Sequence, residues 1–521
     1  MRDLKEGYRQ NVALLGRRAI GKTVLLEKLM AEWDDDVLIP VELDLENQDL
    51  QDIYEKMTGR LLFHFFKRKG LPFSDNLKSL TEVCHHELPS SYKAIKKIQS
   101  FLAHDKKGEA FREIIALPQT FAKETGSFCI LFWDEFHALE GLLIPGAFRE
   151  LGKKIMTQNL CLYIVASSKP AVARRILSEK LSLLFGNFEI VPLEAFDPKT
   201  SREFIAMYLQ EIRLKDLLRD FIVDLTGGHP LFLTLICREL VSLTRAYQQN
   251  EIFTPLVTQA LENLLFQPWG ILNRHFSQLI DRVNSPRENL VVSRLLLALA
   301  AGKQKIKQIV GETGMKAALV RHKLNYLIEQ GIVIRNGSFY YLEDKLFKFW
   351  LRWEYQQRKQ SFDIELGTRL EQFRQGVDGA LKEFDLSARK DLTSRIQELL
   401  FCFEDETCFI NGRRYRLPVF RDVVPAKAAG KGPRDVVMLR ASTEAGDWMI
   451  ALKAGAIGEN DLNVLLTESR RRRGKPQKCV LISLAEIDEN VRIRALQERM
   501  WIWNEGEVNA LLTIYNKPYL I

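Results

Sequence analysis

Gly16-Arg17-Arg18-Ala19-Ile20-Gly21-Lys22-Thr23 has the form G-x-x-x-x-G-K-T of a phosphate-binding loop. Its glycines let backbone N–H groups close around a triphosphate, Lys22 reaches toward the β and γ oxygens, and the Thr23 hydroxyl is suited to ligate Mg²⁺. A second cluster, Asp134-Glu135, closes the apolar run Phe128 to Trp133. Asp134 is expected to hold the magnesium and its hydration shell, and Glu135 to orient or deprotonate an attacking water. The structural alternative is that the two acids merely cap a helix beginning at Phe136. Ser167-Ser168 follow the apolar run Leu162 to Ala166, at a strand's C-terminal end, where ligands of open α/β sheets lie. Ser167 is accordingly a candidate for the γ-phosphate or the water, whereas Ser168 alternatively begins the next helix.

These residues need a particular scaffold. Val12 to Leu15 reads as a buried strand and Val24 to Met30 as a helix, so the loop sits between them. Val37 to Leu43, Phe128 to Trp133 and Leu162 to Ala166 are near-continuous apolar runs, as expected of parallel strands buried on both faces. Pro40 is awkward in a central strand. Residues 49–123 read as a helical insertion in which Phe65-Phe66 precede Lys67-Arg68-Lys69. That junction is better explained as an amphipathic helix than as a nucleic-acid contact.

At 521 residues the chain should divide into about three or four units, with 46% hydrophobic and 27% charged residues marking it as globular throughout. A net charge of +8 permits nucleic-acid binding without requiring it. Seven cysteines without C-x-x-C spacing read as buried thiols, and Cys84-His85-His86 as a helix segment rather than a metal site. Met1 to Glu6 carries no apolar signal stretch, and the most hydrophobic run, Leu290 to Ala301, is broken by Arg294 and too short for a bilayer. A cytoplasmic protein without a membrane partner is expected.

Downstream, Asp197-Pro198 has the composition of a helix start, and the helices that follow make a small all-α lid. Val291 to Leu299, Ile306 to Val310 and Met315 to Ile328 read as three helices, followed by a two-stranded ribbon over Ile332 to Tyr341 with an Asn336-Gly337 turn. This is a winged-helix pattern. Lys316, Arg321 and Lys323 on its third helix, with Arg335 on the wing, are candidate contacts to double-stranded DNA; alternatively the module packs only against protein. The aromatic run Phe347 to Trp353 is expected to pack against it.

The combination of the loop, Ile130 to Phe136, and Thr226-Gly227-Gly228-His229-Pro230-Leu231 resembles the archaeal-type ATPases of the STAND class of P-loop NTPases, relatives of origin-recognition and AAA+ ATPases. The resemblance spans residues 1 to about 355 and implies an ATP- and Mg²⁺-dependent ATPase core, a helical lid and a responsive winged helix. It also implies that His229 and Pro230 sense nucleotide. The family's arginine after a Phe-Gly pair is Asn187 here, following Phe185-Gly186. Arg174 and Arg175, or Arg149 from a neighbouring subunit, are the candidate substitutes.

From about residue 360, helices give way to a hairpin around Asn411-Gly412 and then to strands at 435–439, 448–453 and 478–484. This order resembles the restriction-endonuclease-like fold with its PD-(D/E)-x-K site. Asp435 and Lys453 match that site, but Ala451 stands where the second metal-holding acid belongs, unless Glu444 or Glu459 substitutes. The site is thus expected to be degenerate and retained for binding, with Arg470, Arg471, Arg472 and Arg473 available to grip phosphates.

The expected fold is therefore α/β: a P-loop parallel-sheet core (1–190), a helical lid (191–270), a winged helix (271–357) and a restriction-endonuclease-like domain (358–521). The expected function is an ATP-driven switch coupled to DNA, another copy of the chain or a protein partner. The alternatives are an ATP-regulated nuclease and a signalling ATPase that touches only protein.

Overall fold

The computed structural model describes residues 10–32, 37–70, 76–181, 187–284, 289–360, 366–426, 436–471, 476–485 and 487–521. The side chains of residues 289, 360, 366, 470 and 471 are not among those described. The chain forms two units, Met1–Ala195 and Phe196–Ile521.

The first unit is built on a five-stranded parallel sheet of β1 (Asn11–Gly16), β2 (Leu38–Asp44), β3 (Phe128–Asp134), β4 (Cys161–Ser167) and β5 (Phe188–Leu193), in the order β2-β3-β4-β1-β5. Helix α1 (Lys22–Ala31) follows β1 directly. Pro40 is accommodated because β2 is an edge strand, where a missing N–H costs no central ladder bond. The helical insertion comprises α2 (Leu50–Lys69), α3 (Leu77–Glu87), α4 (Pro89–Ala103) and α5 (Lys107–Thr125). Asp49 and Asp52 close a reciprocal capping box at the start of α2, and Gly70 ends the helix in the left-handed region. Leu61, Leu62, Phe65 and Phe66 are buried against the sheet, while Arg68 reaches the Ser127 hydroxyl and Lys69 pairs with Glu87. The aromatic-basic junction is thus one amphipathic helix. Cys84 is buried and desolvation pushes its thiol up to about 12. Among the described residues no cluster of three or more His, Cys, Asp or Glu side chains is set to hold a metal. All seven cysteines are free.

The second unit opens with helices α6 (Pro198–Leu209), α7 (Asp216–Thr226), α8 (Pro230–Ala246), α9 (Thr254–Leu261) and α10 (Ile271–Val283). Asp197 caps α6 by accepting from the Thr200 N–H, with Pro198 at the first helical position. Next come α11 (Asn289–Ala300), α12 (Ile306–Thr313) and α13 (Ala317–Glu329), then a hairpin of the strands Val333–Asn336 and Phe339–Leu342 and helix α14 (Lys345–Trp350). All of these helices share one core with the long helix α15 (Leu366–Ala388), centred on Phe276, Trp350 and Phe373. The aromatic run packs as expected, and the Trp350 indole N–H donates to Asn273.

In the remainder, the hairpin of β6 (Glu406–Ile410) and β7 (Arg413–Leu417) turns through Asn411 and Gly412, both at positive φ, the geometry that Asn-Gly favours. The wing differs. Its strands pair Asn336 with Phe339, so the loop residues are Gly337 and Ser338, one position later than an Asn-Gly turn would put them. Asn336 is used otherwise: its amide donates to the Phe409 carbonyl and accepts from the Phe409 N–H, docking the wing on the edge of β6. Gly337, at φ 62°, lies so near that strand that a Cβ would sit 1.8 Å from the Thr407 carbonyl oxygen.

A separate five-stranded sheet completes the chain: β8 (Asp422–Pro425), β9 (Val437–Thr443), β10 (Gly446–Lys453), β11 (Lys478–Ser483) and β12 (Trp501–Trp503). Its first three strands are antiparallel and its last two join in parallel. Helices over Glu459–Arg471, Glu489–Gln497 and Glu505–Ile514 flank it. Among the described residues no helix is long and apolar enough to cross a membrane.

Candidate functional site

The sheet order puts β4 between β1 and β3, so the phosphate loop and the acid pair leave the same end of the sheet one strand apart. This is the edge at which open α/β sheets take ligands. Gly16 ends β1 beside Leu193 of β5, and a Cβ there would lie 2.6 Å from the Leu193 carbonyl oxygen. Only glycine fits. Ala19, at φ 58°, and Gly21, at φ 102°, turn the loop into the N-terminus of α1, where unpaired backbone N–H groups favour an anion.

Lys22 is buried, and its ammonium donates to the Gly16 and Arg17 carbonyls at 3.1 and 2.8 Å. Burial lowers its pKa, opposed by the charges of Glu135 and Asp134. The Thr23 hydroxyl donates to Asp134 Oδ2 at 2.6 Å, although the two residues are 111 positions apart in sequence. Arg18 forks onto the Glu46 carboxylate at about the β2 end of the same edge.

Asp134 and Glu135 do not act as helix caps. The 3₁₀ segment Phe136–Leu142 begins without a side-chain cap bond, and Asp134 Oδ1 instead accepts from the Glu135 N–H. Glu135 itself holds φ 50°, a left-handed conformation uncommon for a side chain of this size and typical of strained functional positions. Its carboxylate accepts from the Ser168 N–H at 2.8 Å and lies 3.2 Å from His137 Nδ1. Burial would raise its pKa, but the bonds from His137 and Ser168 and the charge of Lys22 outweigh that and hold it at about 2. Glu135 is therefore a weak base, better suited to orienting a water than to removing its proton outright.

Ser167 corrects an expectation. It is fully buried, its hydroxyl accepting from the Lys169 N–H at 3.1 Å and lying 2.9 Å from His137 Nδ1. Its hydroxyl is thus engaged inside the protein rather than offered to a phosphate. Arg175 pairs with Glu140, while Arg149 and Arg174 are exposed. Phe185 and Gly186, which mark the missing family arginine, lie outside the described residues.

Within the second unit, Gly227 and Gly228 are both at positive φ, and a Cβ on Gly228 would meet the Phe196 carbonyl oxygen at 2.0 Å. His229 is buried with its ring stacked on Phe232, and Pro230 takes the first position of α8. Lys316, Arg321 and Arg335 are exposed. Lys323 is not: it is 7% exposed, on the inward face of α13 with Val320, Leu324 and Leu327, which removes it from the candidate DNA contacts.

At the candidate nuclease position, Asp435 lies outside the described residues, as do Arg472 and Arg473; Arg470 and Arg471 end a helix, their side chains undescribed. Lys453 donates to Asp461 at 2.9 Å, and Asp461 also accepts from the Gly458 N–H. Ala451 is fully buried, Glu444 pairs with Arg421, and Glu459 is exposed. The sequence pointed to neither Asp461 nor His137. His137 meets Glu135 only two residues away, but its contact with Ser167 depends on β4 lying beside β3, a pairing that no local pattern encodes.

No family model matches the sequence, and no curated protein matches it. Among solved structures the chain is similar to a Walker-type ATPase of Pyrococcus abyssi, at 16% identity over 67% of this chain and 93% of that one, with a TM-score of 0.46. It is also similar to the ORC2 protein of Aeropyrum pernix, at 11% identity over 74% and 92% with a TM-score of 0.42. A third is the RuvB Holliday junction branch migration motor of Thermotoga maritima, at 15% identity over 67% and 89% with a TM-score of 0.34. The site stands on its own geometry.

Proposed function

We propose that this chain binds ATP with Mg²⁺ on the Lys22 loop, hydrolyses it with the help of Glu135, and acts as a switch whose nucleotide state sets its grip on double-stranded DNA or a protein partner. The observation that carries this reading is the Thr23–Asp134 contact at 2.6 Å, with Glu135 on the next residue. A hydroxyl and a carboxylate so close, both hard oxygen donors, are the sparse protein contribution that Mg²⁺ takes when phosphates and waters complete its shell. When bound, Mg²⁺ would neutralise charge on the phosphate oxygens.

The chain's own residues supply the rest. Gly16 to Gly21 wrap backbone donors around the phosphates, Lys22 balances their charge, and Glu135 aligns the water. Gly227 to Pro230 are carried as the nucleotide-responsive turn. We take α11 to α13 with the hairpin of Val333–Asn336 and Phe339–Leu342 as a winged helix, which would approach DNA through Lys316, Arg321 and Arg335. Docking of the wing on β6 supports a share of protein contact in its role. The C-terminal sheet is proposed as a restriction-endonuclease-like module that binds rather than cuts, since Lys453 is committed to Asp461 and Ala451 carries no acid.

Titration calorimetry with ATP or GTP and Mg²⁺ tests the core of this reading: uptake by the intact chain, lost in Lys22→Ala, is expected. No uptake, or uptake unchanged in Lys22→Ala, overturns it. Adding labelled duplex separates the roles. Salt-sensitive binding without cleavage supports a DNA-linked switch, cleavage would favour the nuclease, and neither would favour a purely protein partner.

A further inference from the structure

Glu135 is steered by groups beyond the phosphate loop. Continuing the β3–β4 register, in which Trp133 stands opposite Val165, brings Glu135 abreast of Ser167. His137 sits between them, its Nδ1 3.2 Å from Glu135 Oε2 and 2.9 Å from Ser167 Oγ. An ionised carboxylate can only accept, so the contact to Glu135 requires a hydrogen on Nδ1. Ser167, fixed by the Lys169 N–H at 3.1 Å, is then a second acceptor that steadies the ring. Glu135 Oε2 also takes the Ser168 N–H at 2.8 Å. The His137 and Glu135 side chains are each only 13% exposed, so these bonds form in surroundings that strengthen them.

We propose that His137 is a positioning residue for hydrolysis: its Nδ1–H, steadied by Ser167, pins the Glu135 carboxylate in the one orientation that aligns the attacking water. His137 touches neither nucleotide nor metal in this scheme and acts only through Glu135. The inference rests on the reading of Glu135 as the water-orienting acid. It also explains why a strand-end serine that is wholly buried belongs to the site. The backbone strain at Glu135 sets where the side chain starts, and His137 with the Ser168 N–H sets where it points.

The test uses the full-length chain with ATP and Mg²⁺, comparing wild type with His137→Ala, His137→Asn, Ser167→Ala and Glu135→Gln. For His137→Ala, kcat should fall about ten- to a hundredfold, the usual loss when a group that orients a reacting side chain is removed, with the ATP dissociation constant within about twofold of wild type. His137→Asn, whose amide restores an N–H donor near Nδ1, should recover most of that loss, and Ser167→Ala should show a smaller kcat defect. In the Glu135→Gln background His137→Ala should add little, because both changes act on one step. Unchanged kcat in His137→Ala, equal loss in His137→Asn, or parallel loss of ATP affinity would overturn the inference while leaving the proposed function intact. An intact chain that binds ATP but never turns it over would remove both.

Discussion

Replacing Gly337 by alanine should release the wing from the edge of β6. The added Cβ would lie 1.8 Å from the Thr407 carbonyl oxygen and 2.9 Å from its carbon, distances no relaxed contact permits, and both neighbours are backbone. Alanine at φ 62° also costs about 1–2 kcal/mol. If the wing lifts to relieve the overlap, the two bonds between Asn336 and the Phe409 backbone go with it, a further ~2 kcal/mol at about 1 kcal/mol each. The expected loss is therefore about 3–4 kcal/mol, a fall in melting temperature of roughly 4–6 °C for a unit of this size. Differential scanning calorimetry on the full chain measures it. Asn336→Ala should lose only the hydrogen-bond share. Gly379→Ala, on an exposed face of α15 with nothing within 4 Å of the new Cβ, should instead gain about 0.5–1 kcal/mol by removing backbone freedom. A Gly337→Ala protein that melts with the wild type would refute wing docking.

Other perturbations have equally definite outcomes. Glu135→Gln should retain ATP binding and lose turnover by about a hundredfold or more in a phosphate-release assay, and equal turnover would remove Glu135 from the chemistry. The Glu135 carboxyl, held at about 2 in the folded chain, contributes stability that is fully present above the unfolded-state value and is lost as pH falls through about 2. The melting-temperature gap between wild type and Glu135→Gln should therefore narrow steadily on acidification from pH 5, and a constant gap would contradict it. Lys453→Met should cost about 3–5 kcal/mol in chemical denaturation by stranding Asp461, which is 4% exposed, and Lys453→Met with Asp461→Leu should recover much of that loss; full stability of the single variant would deny the pairing. Thr23→Ala should weaken ATP binding in the presence of Mg²⁺ and leave binding in EDTA nearly unchanged, and equal loss in both would place Thr23 outside the metal's shell.

The phosphate loop and acid pair were legible because their chemistry is local: eight contiguous residues, and a strand that ends in two acids. The helical insertion and the three helices before the wing were readable from periodicity for the same reason. What escaped depends on pairing across long stretches of chain. The strand Phe188–Leu193, half exposed and containing Pro192, has no buried-strand signature, yet it forms the wall against Gly16. Ser167 was placed correctly at a strand end but given the wrong neighbour, because it shares the full burial of β4 and its hydroxyl meets His137 and the Lys169 N–H. Lys323 looked like one cation of a basic face, and only the helix's rotation shows it turned inward. Asn336-Gly337 carried the composition of a hairpin turn, while its actual use is a contact with a strand some seventy residues on.

The strand Phe188–Leu193 also decides where the first unit can be cut. It pairs with Asn11–Gly16 along their whole length, the register running from Asn11 opposite Phe188 to Gly16 opposite Leu193. A fragment ended upstream of Phe188 would leave Asn11–Gly16 as a naked, apolar sheet edge, the kind of surface on which chains stack into aggregates. Insoluble material from such a truncation would report a missing ladder rather than an inability of the nucleotide unit to fold alone.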